Sequence, residues 1–200
     1  MRKINHILVL LLSLCSLATA SEDGSGPYIG IGIGPTVYVD SNFAKEQSSR
    51  HIDEEIAEDA VGAKLYGGYQ FNKIVGIEVA YIHYGTFKGN EDYTYRAQGI
   101  SLATNVGYTF LTGQLRPYAL VGLGYVFSDF PHEEIPVDDQ SPTLHIGFGL
   151  DYRPTSLGGV GFRVAYESNS FSYIVDENSQ NEKSYIQGFG VLYVGCDYKF

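Results

Sequence analysis

The chain has 200 residues, of which 24 are glycine and 17 are tyrosine, and its formal net charge is −10. After residue 20 no apolar run approaches the ~20 residues that a membrane-spanning helix requires, which excludes a helical membrane protein. The negative charge argues against nucleic acid as a partner, and the abundance of glycine and tyrosine indicates an all-β protein.

The first 20 residues have the layout of a cleavable secretory signal. Arg2 and Lys3 precede an apolar stretch at residues 7–14, and residues 18–20, which have small side chains, follow it. We expect cleavage before Ser21, which gives a signal peptide over residues 1–20 and one domain over residues 21–200. Removing two of the 13 basic residues leaves 11 basic against 23 acidic residues, a mature charge of −12.

The two cysteines bear on maturation. Lipidation at Cys15 is the alternative to signal cleavage, but Leu14 places a bulky residue where a small one is needed. Because Cys15 leaves with the signal, the mature chain keeps only Cys196 and cannot form an internal disulfide.

The mature sequence alternates with a two-residue period over eight segments, which predicts eight β-strands. In the first, Ile29, Ile31 and Ile33 share one face, whereas Gly30 and Gly32 share the other. The later segments repeat this division between large apolar residues and small or polar ones. The predicted strands are residues 28–39, 60–71, 74–87, 93–110, 115–128, 143–153, 159–170 and 184–200.

The eighth predicted strand is less regular. Leu192 and Val194 continue the outward apolar face, but Phe189, Val191 and Tyr193 then point inward. A β-bulge within this strand would explain the mismatch.

Connections between the predicted strands alternate in length. Short links lie at residues 72–73, 111–114 and 154–158, and long polar ones at residues 40–59, 88–92, 129–142 and 171–183. Short periplasmic turns and long outer loops are typical of bacterial barrels. An even number of strands then puts both termini in the periplasm.

Closure into a barrel is favoured over a soluble sandwich. Lipid offers no partner for an unpaired backbone group, so spanning strands must pair on both edges. The face opposite the apolar one is dominated by glycine and alanine, which suit a narrow barrel interior better than a wet sandwich face. The sequence therefore predicts an all-β fold, an eight-stranded antiparallel transmembrane β-barrel, with a secreted lipocalin-like barrel as the main alternative.

Aromatic residues near the predicted strand ends are expected to form girdles at the level of the lipid headgroups. The residues that we assign to the outward face in this way are Tyr28, Tyr69, Tyr81, Tyr108, Tyr125, Tyr152, Tyr166, Tyr198 and Phe200.

The end of the chain carries a resemblance. Gly195, Tyr198 and Phe200 resemble the C-terminal signal by which outer-membrane assembly machinery receives barrel precursors. Five further stretches resemble the transmembrane domain of the outer membrane protein A family: residues 67–72, 76–78, 97–100, 149–152 and 162–164. The resemblance covers nearly the whole mature chain and implies a monomer in the outer membrane, among lipid and lipopolysaccharide. The family's C-terminal peptidoglycan-binding domain is expected to be absent.

In that family a lumenal cluster of charges plugs the barrel and can act as a gate. Matched through these motifs, the acid of strand three, the lysine of strand four, the acid of strand six and the arginine of strand seven fall on Glu78, Asn105, Asp151 and Arg163. Because asparagine replaces the lysine, the second cation is missing unless Lys64 on the second strand supplies it. The resemblance thus implies a plug more readily than a gate.

An enzyme is the competing class of protein. A hydrolase needs a nucleophile within reach of a base, and outer-membrane deacylases carry a serine two positions after the catalytic histidine. None of the mature histidines, His51, His83, His132 and His145, has that neighbour, and His145 is expected to face the lumen alone. We therefore expect no catalytic residues, cofactor or metal.

Acidic residues concentrate in the long predicted loops. Such loops could collect divalent cations or attract a basic host ligand, but a solvated surface is the interpretation that we favour, because no metal-binding spacing is present. The sequence thus predicts a barrel with a structural and surface-interaction role, and a narrow porin-like channel gated by lumenal charges is the alternative. The loop acids are Asp53, Glu54, Glu55, Glu58, Asp59, Asp129, Glu133, Glu134, Asp138, Asp139, Asp176, Glu177 and Glu182.

Overall fold

The alternating segments of the sequence form eight β-strands. The structure, a computed structural model, describes residues 24–40, 60–88, 94–128, 140–176 and 182–200. The strands are β1 (Gly26–Asp40), β2 (Val61–Gln70), β3 (Val75–Lys88), β4 (Thr94–Gly107), β5 (Leu115–Ser128), β6 (Gln140–Tyr152), β7 (Val160–Asp176) and β8 (Glu182–Lys199). Two short 3-10 turns, Leu111–Gly113 and Thr155–Leu157, are the described helical elements, and neither is long or apolar enough to cross a membrane.

The eight strands form one closed antiparallel barrel, which confirms the predicted fold. Each strand pairs with its neighbour in sequence, and β8 returns to pair with β1. At the closing seam Ile31 lies opposite Cys196, and on its other side it lies opposite Leu65. Closure pairs the backbone along both edges of every strand, as a lipid environment requires.

The two ends of the barrel differ in their connections. At one end, here called the terminal end, β1 begins, β8 finishes, and the connections are short. One of these turns is fixed by Asn72, whose Oδ1 accepts hydrogen bonds from the backbone N–H groups of Ile74 and Val75 at 2.8 and 2.9 Å. At the other end, the loop end, the strands are joined by segments 41–59, 89–93, 129–139 and 177–181, which lie outside the described residues.

The outward face is a continuous apolar surface. Ile31 and Leu123 are 64% and 73% exposed, whereas the inward Tyr66 is 1% exposed. An apolar surface of this extent is stable only against lipid or another apolar partner. Aromatic pairs mark its rim at the terminal end, where the ring centroids of Tyr108 and Phe110 lie 4.9 Å apart and those of Tyr198 and Phe200 lie 5.0 Å apart.

The prediction that Tyr28 belongs to the outward girdle is wrong. Tyr28 is buried, and its hydroxyl donates a hydrogen bond of 2.8 Å to Oε2 of Glu78. The cause is its phase in the strand, since Tyr28 lies two residues before Gly30 and so shares the inward glycine face.

The large inward side chains of β8 fit into the lumen without a bulge in that strand. Phe189, Val191 and Tyr193 are buried, and the pairing of β8 with β1 and with β7 keeps one register throughout. The bulge expected in this strand is therefore absent from its described pairing. Glycine on β1 makes the room, because a Cβ at Gly32 would lie 2.4 Å from Cδ2 of Tyr193.

Two irregularities appear elsewhere. The register of β3 against β4 shifts between His83 and Thr86, where Gly85 adopts a φ of +88° that a residue with a side chain rarely accepts. The hairpin of β7 and β8 extends much further than predicted, with continuous pairing out to Asp176 and Glu182. Most of the loop predicted at residues 171–183 is therefore strand, because the β-branched and aromatic residues there pair across the hairpin without a lipid-facing pattern to reveal them.

Candidate functional site: a lumenal ion cluster

Buried charges from five strands meet inside the barrel. Each side chain follows the inward phase of its strand, and each residue is at most 6% exposed. The resulting lumenal ion cluster consists of Lys64, Glu78, Arg116, Asp151, Arg163 and Glu167.

Glu78 is the hub of the cluster. Its Oε1 accepts a hydrogen bond from Nζ of Lys64, and its Oε2 accepts one from Nη1 of Arg163, both at 2.8 Å. The hydroxyl of Tyr28 donates a third, also to Oε2. Three donors from β1, β2 and β7 thus surround one carboxylate on β3, which offsets the cost of burying its charge.

Lys64 supplies the second cation that the family pattern seemed to lack. Its ammonium lies 2.5 Å from Oε1 of Glu167 as well as 2.8 Å from Glu78, and the hydroxyl of Tyr193 is 3.1 Å away. The same nitrogen lies 4.8 Å from the centroid of the Tyr66 ring, within cation–π range. Lys64 therefore joins the two glutamates that would otherwise repel one another.

Arg163 links the hub to Asp151. Its Nε donates to Oδ1 of Asp151 at 2.7 Å, and its Nη2 lies 3.4 Å from Oδ2, so the guanidinium grips the carboxylate with two nitrogens. The guanidinium carbon lies 4.3 Å from the Tyr66 ring centroid and 4.7 Å from that of Tyr118. Arg163 is thereby fixed between two acids and two aromatic rings.

Asn105 is buried but contacts the cluster only through Arg116. Nη1 of Arg116 donates to Oδ1 of Asn105 at 2.7 Å and lies 3.8 Å from Oδ2 of Asp151. Arg116 was missed from the sequence because it follows closely after a turn. Its inward phase, shared with Gly122 and Gly124, was the available signal.

Glu167 and His145 form a second part of the cluster that the sequence did not connect. The expectation that His145 faces the lumen alone is wrong, because its Nε2 lies 3.4 Å from Oε2 of Glu167 and its Nδ1 lies 3.1 Å from Oδ1 of Asn169. Both Glu167 and His145 have the inward phase of their strands. Their contact depends on the register of β6 against β7, which periodicity alone does not specify.

Charge is balanced within the cluster when His145 is neutral. The three cations Lys64, Arg116 and Arg163 face the three acids Glu78, Asp151 and Glu167. In a medium of low dielectric constant such pairing is the condition for burying so many ions. Among the described residues, no group of histidine, cysteine or acidic side chains is arranged to hold a metal ion.

A model of the outer membrane protein β-barrel domain family matches residues 7–200 of this chain. The chain belongs to that family. It is 28% identical over 200 residues to outer membrane protein A of Salmonella typhi, covering 97% of this chain and 54% of that protein. It is 33% identical over 164 residues to outer membrane protein A of Escherichia coli O157:H7, covering 80% of this chain and 43% of that protein. The chain thus spans about half the length of these relatives.

Solved outer-membrane barrels share the fold of this family member. The attachment invasion locus protein Ail of Yersinia pestis matches with a TM-score of 0.53 and 17% identity over 88% of this chain and 99% of that chain. Neisserial surface protein A matches with a TM-score of 0.54 and 16% identity over the same shares. Ail has also been solved with the heparin analogue sucrose octasulfate. The barrel is accordingly an integral protein of the outer membrane.

Of the residues expected to form the assembly signal, Tyr198 and Phe200 lie at the terminal end of this outer-membrane barrel, and Gly195 lies further along β8. Gly195 faces Gly32 across the seam, and Tyr198 is exposed on the outward face. The backbone N–H of Phe200 donates to the carbonyl of Pro27 at 3.0 Å, which ties the end of the chain to the start of β1. Recognition by assembly machinery stays a prediction.

The lumen widens towards the terminal end. A cavity of about 530 Å³, here called the vestibule, is lined by the terminal turns, the start and end of the described chain, and Arg116, Asp151 and Arg153. A second space of only about 10 Å³ continues from it towards Arg163. About one water fills a space of that size.

Proposed function

We propose that this protein is a closed outer-membrane barrel with a structural and surface-interaction role, in which the lumenal ion cluster plugs the interior. The observation that carries the proposal is the set of three donors on Glu78 from three separate strands. The contact between Arg163 on β7 and Glu78 on β3 crosses the lumen and joins opposite walls, while Tyr28 and Lys64 add donors from the nearer strands β1 and β2. A cluster that ties the walls together stabilises the barrel and leaves no open path.

The dimensions of the interior support a plug. A solute that enters the vestibule meets a space of about 10 Å³ and then the buried pairs of Glu78, Asp151 and Arg163. Passage would require separating ions that are already desolvated, which leaves uncompensated charge in a narrow lumen. Beside them the rings of Tyr66 and Tyr193, with centroids 6.3 Å apart, are buried in the lumen.

The orientation belongs to the same proposal. Residues 1–20 act as a secretory signal, both ends of the mature chain lie in the periplasm, and the segments at the loop end face the outside. The short turns at the terminal end support this arrangement, because bacterial barrels place short turns in the periplasm. Protease added to intact cells should then cut within segments 41–59 or 129–139 and leave the terminal end intact.

Swelling of proteoliposomes in a small neutral sugar tests the plug. Liposomes with the refolded protein should swell no faster than liposomes without protein. A variant in which Lys64, Glu78, Arg163 and Glu167 are all replaced by alanine should admit the sugar, provided that its heat-dependent gel shift shows a folded barrel. Rapid swelling with the unaltered protein would contradict the plug.

A narrow gated channel is the alternative function. It is favoured by one feature: Arg163 contacts both Glu78 and Asp151, while Lys64 contacts both Glu78 and Glu167. Two cations that each have two acidic partners could exchange them and open a path. This alternative predicts a current across the membrane that changes when Arg163 is replaced by alanine.

We further propose that the protein has no enzymatic activity. His145 is enclosed by Glu167 and Asn169 inside the barrel, away from lipid substrates, and His83 accepts a hydrogen bond from the backbone N–H of Gly85 at 3.0 Å. Neither histidine activates a nucleophile. Hydrolysis of lipopolysaccharide by the purified protein would contradict this proposal.

A further inference from the structure

Cations dominate the vestibule at the terminal end. Its lining includes Lys73, Arg116, Arg153 and Lys199, but Asp151 is the one acidic side chain among its described lining residues. The four cations come from two strands and two turns, so the fold gathers them from separate parts of the sequence. A positively charged concave surface concentrates anions.

Two of these cations already have acidic partners. Arg153 pairs with Asp197 through its Nη2, and Arg116 lies 3.8 Å from Asp151. That acid is shared, because Asp151 is gripped at 2.7 Å by Arg163 in the ion cluster. Arg116 is therefore only partly compensated.

The other two cations form no ion pair with an acidic side chain among the described residues. Nζ of Lys199 donates to the carbonyl of Gly24 and, at 3.0 Å, to Oε1 of Gln70, both of which are neutral acceptors. Lys73 makes no hydrogen bond or ion pair with another described residue, although its stem lies near Gly24.

Arg116 also has a donor left over. The residue is 6% exposed, and its buried Nε has no hydrogen-bond partner among the described residues. Its Nη1 and Nη2 donate to Asn105 and to the carbonyl of Ile74. A buried guanidinium nitrogen without a partner is uncommon in native proteins, and a further acceptor beside Arg116 would satisfy it.

We propose that the vestibule binds a small oxyanion that carries phosphate or carboxylate groups. Guanidinium and ammonium groups together recognise such oxygens, the first by paired donors and the second as a point charge. A volume of about 530 Å³ accommodates a small molecule, while the closed space beyond it prevents passage into the barrel. The vestibule is therefore a binding site and not the entrance of a pore, and this site does not depend on the proposed surface role.

Titration calorimetry of the refolded protein in zwitterionic detergent, with pyrophosphate as the probe, tests the site. Binding by the unaltered protein is expected at low ionic strength, and Lys199→Gln and Lys73→Gln should each weaken it by about tenfold, since each removes one charge-assisted contact. Lys199→Arg, which keeps the charge, should retain binding. Refolding from denaturant makes the result independent of the assembly machinery.

The matched control is Arg96→Gln, which removes one exposed cation from β4 near the loop end. Binding in Arg96→Gln should equal that of the unaltered protein. Absence of pyrophosphate binding, or equal weakening by Arg96→Gln and Lys199→Gln, would overturn the proposal, because the second result would mean general attraction between charges.

Two acids that precede Gly24, Glu22 and Asp23, lie outside the described residues. In the double variant Glu22→Gln, Asp23→Asn, pyrophosphate should bind as tightly as to the unaltered protein or more tightly. Weaker binding would contradict an anion site.

Competition with soluble dihexanoyl phosphatidylglycerol identifies the source of the oxyanion. Competition with pyrophosphate would assign the vestibule to lipid headgroups, whereas its absence would assign it to soluble oxyanions, and both results support the site.

Discussion

Lys64 shows how a single side chain can hold a buried cluster together. Among the residues that the structure describes, it is the one ammonium beside Glu78 and Glu167, which lie on β3 and β7. Removing one member of a buried ion network lowers stability more than replacing the whole network by apolar residues, because the remaining charges stay desolvated without compensation. Stability should therefore be more sensitive to Lys64 than to any exposed charge.

Lys64→Met should lower the free energy of unfolding by about 3–5 kcal/mol, the usual cost of leaving buried charge unpaired. Urea unfolding followed by far-UV circular dichroism and by gel shift measures it; the chain has no tryptophan for fluorescence. Adding Glu167→Gln should recover part of the loss, since one acid then no longer needs a cation. A loss below about 1 kcal/mol, the level of a surface substitution, would mean that the cluster contributes little.

The inward or outward direction of a residue within its strand explains which residues of the ion cluster the sequence predicts and which it does not. Glu78, Asp151 and Arg163 were found because they interrupt small-residue faces and match family motifs, and they do meet. Tyr28 had the inward phase but was assigned by its position near a strand end. The contacts of Arg116 and His145 depend on strand register, which a two-residue period leaves open.

At the scale of the strand, inward glycine and inward aromatic residues are complementary. The Cβ of alanine at position 32 would lie 2.4 Å from the Tyr193 ring, whereas at position 99 it would meet nothing closer than 3.4 Å. Gly32→Ala should therefore destabilise the barrel by about 1–3 kcal/mol through overpacking. Gly99→Ala, also inward, should be nearly neutral, and equal effects on urea unfolding would refute this account of the lumen.

Strand existence was predictable, but strand ends were less so. Alternation identified all eight strands because lipid enforces an apolar outward face along each of them. Outside the bilayer this constraint disappears, so the extension of the β7–β8 hairpin to Asp176 and Glu182 left no lipid-facing pattern. The shift in register between His83 and Thr86 was likewise not visible in the alternation of the sequence. The large inward residues of β8, by contrast, need no bulge, because glycine on β1 accommodates them.

At the scale of the whole molecule, the charge is segregated. The four segments at the loop end contain fourteen acidic and two basic residues, a net charge of −12 that equals the charge of the predicted mature chain. The rest of the predicted mature chain is thus neutral overall, and the acidity belongs to the connecting segments. Such a surface repels anions at distances up to the Debye length.

This segregation predicts a difference from Ail, which has been solved with a heparin analogue. Intact cells that carry the protein should be retained on immobilised heparin no more than cells without it at physiological ionic strength, because the loop segments offer a polyanion only Lys45 and Arg50. Retention that disappears with Lys45→Gln and Arg50→Gln would show that two cations suffice and would contradict repulsion by the acidic segments.

Closure of the lumen is the central claim, and planar-bilayer recording of the refolded protein tests it most directly. The plug predicts that bilayers with the inserted protein carry no more current than bare bilayers. It also predicts that Arg163→Ala destabilises the barrel but does not by itself produce a current. Stepwise currents from the unaltered protein that change in Arg163→Ala would contradict the plug and establish the gated channel.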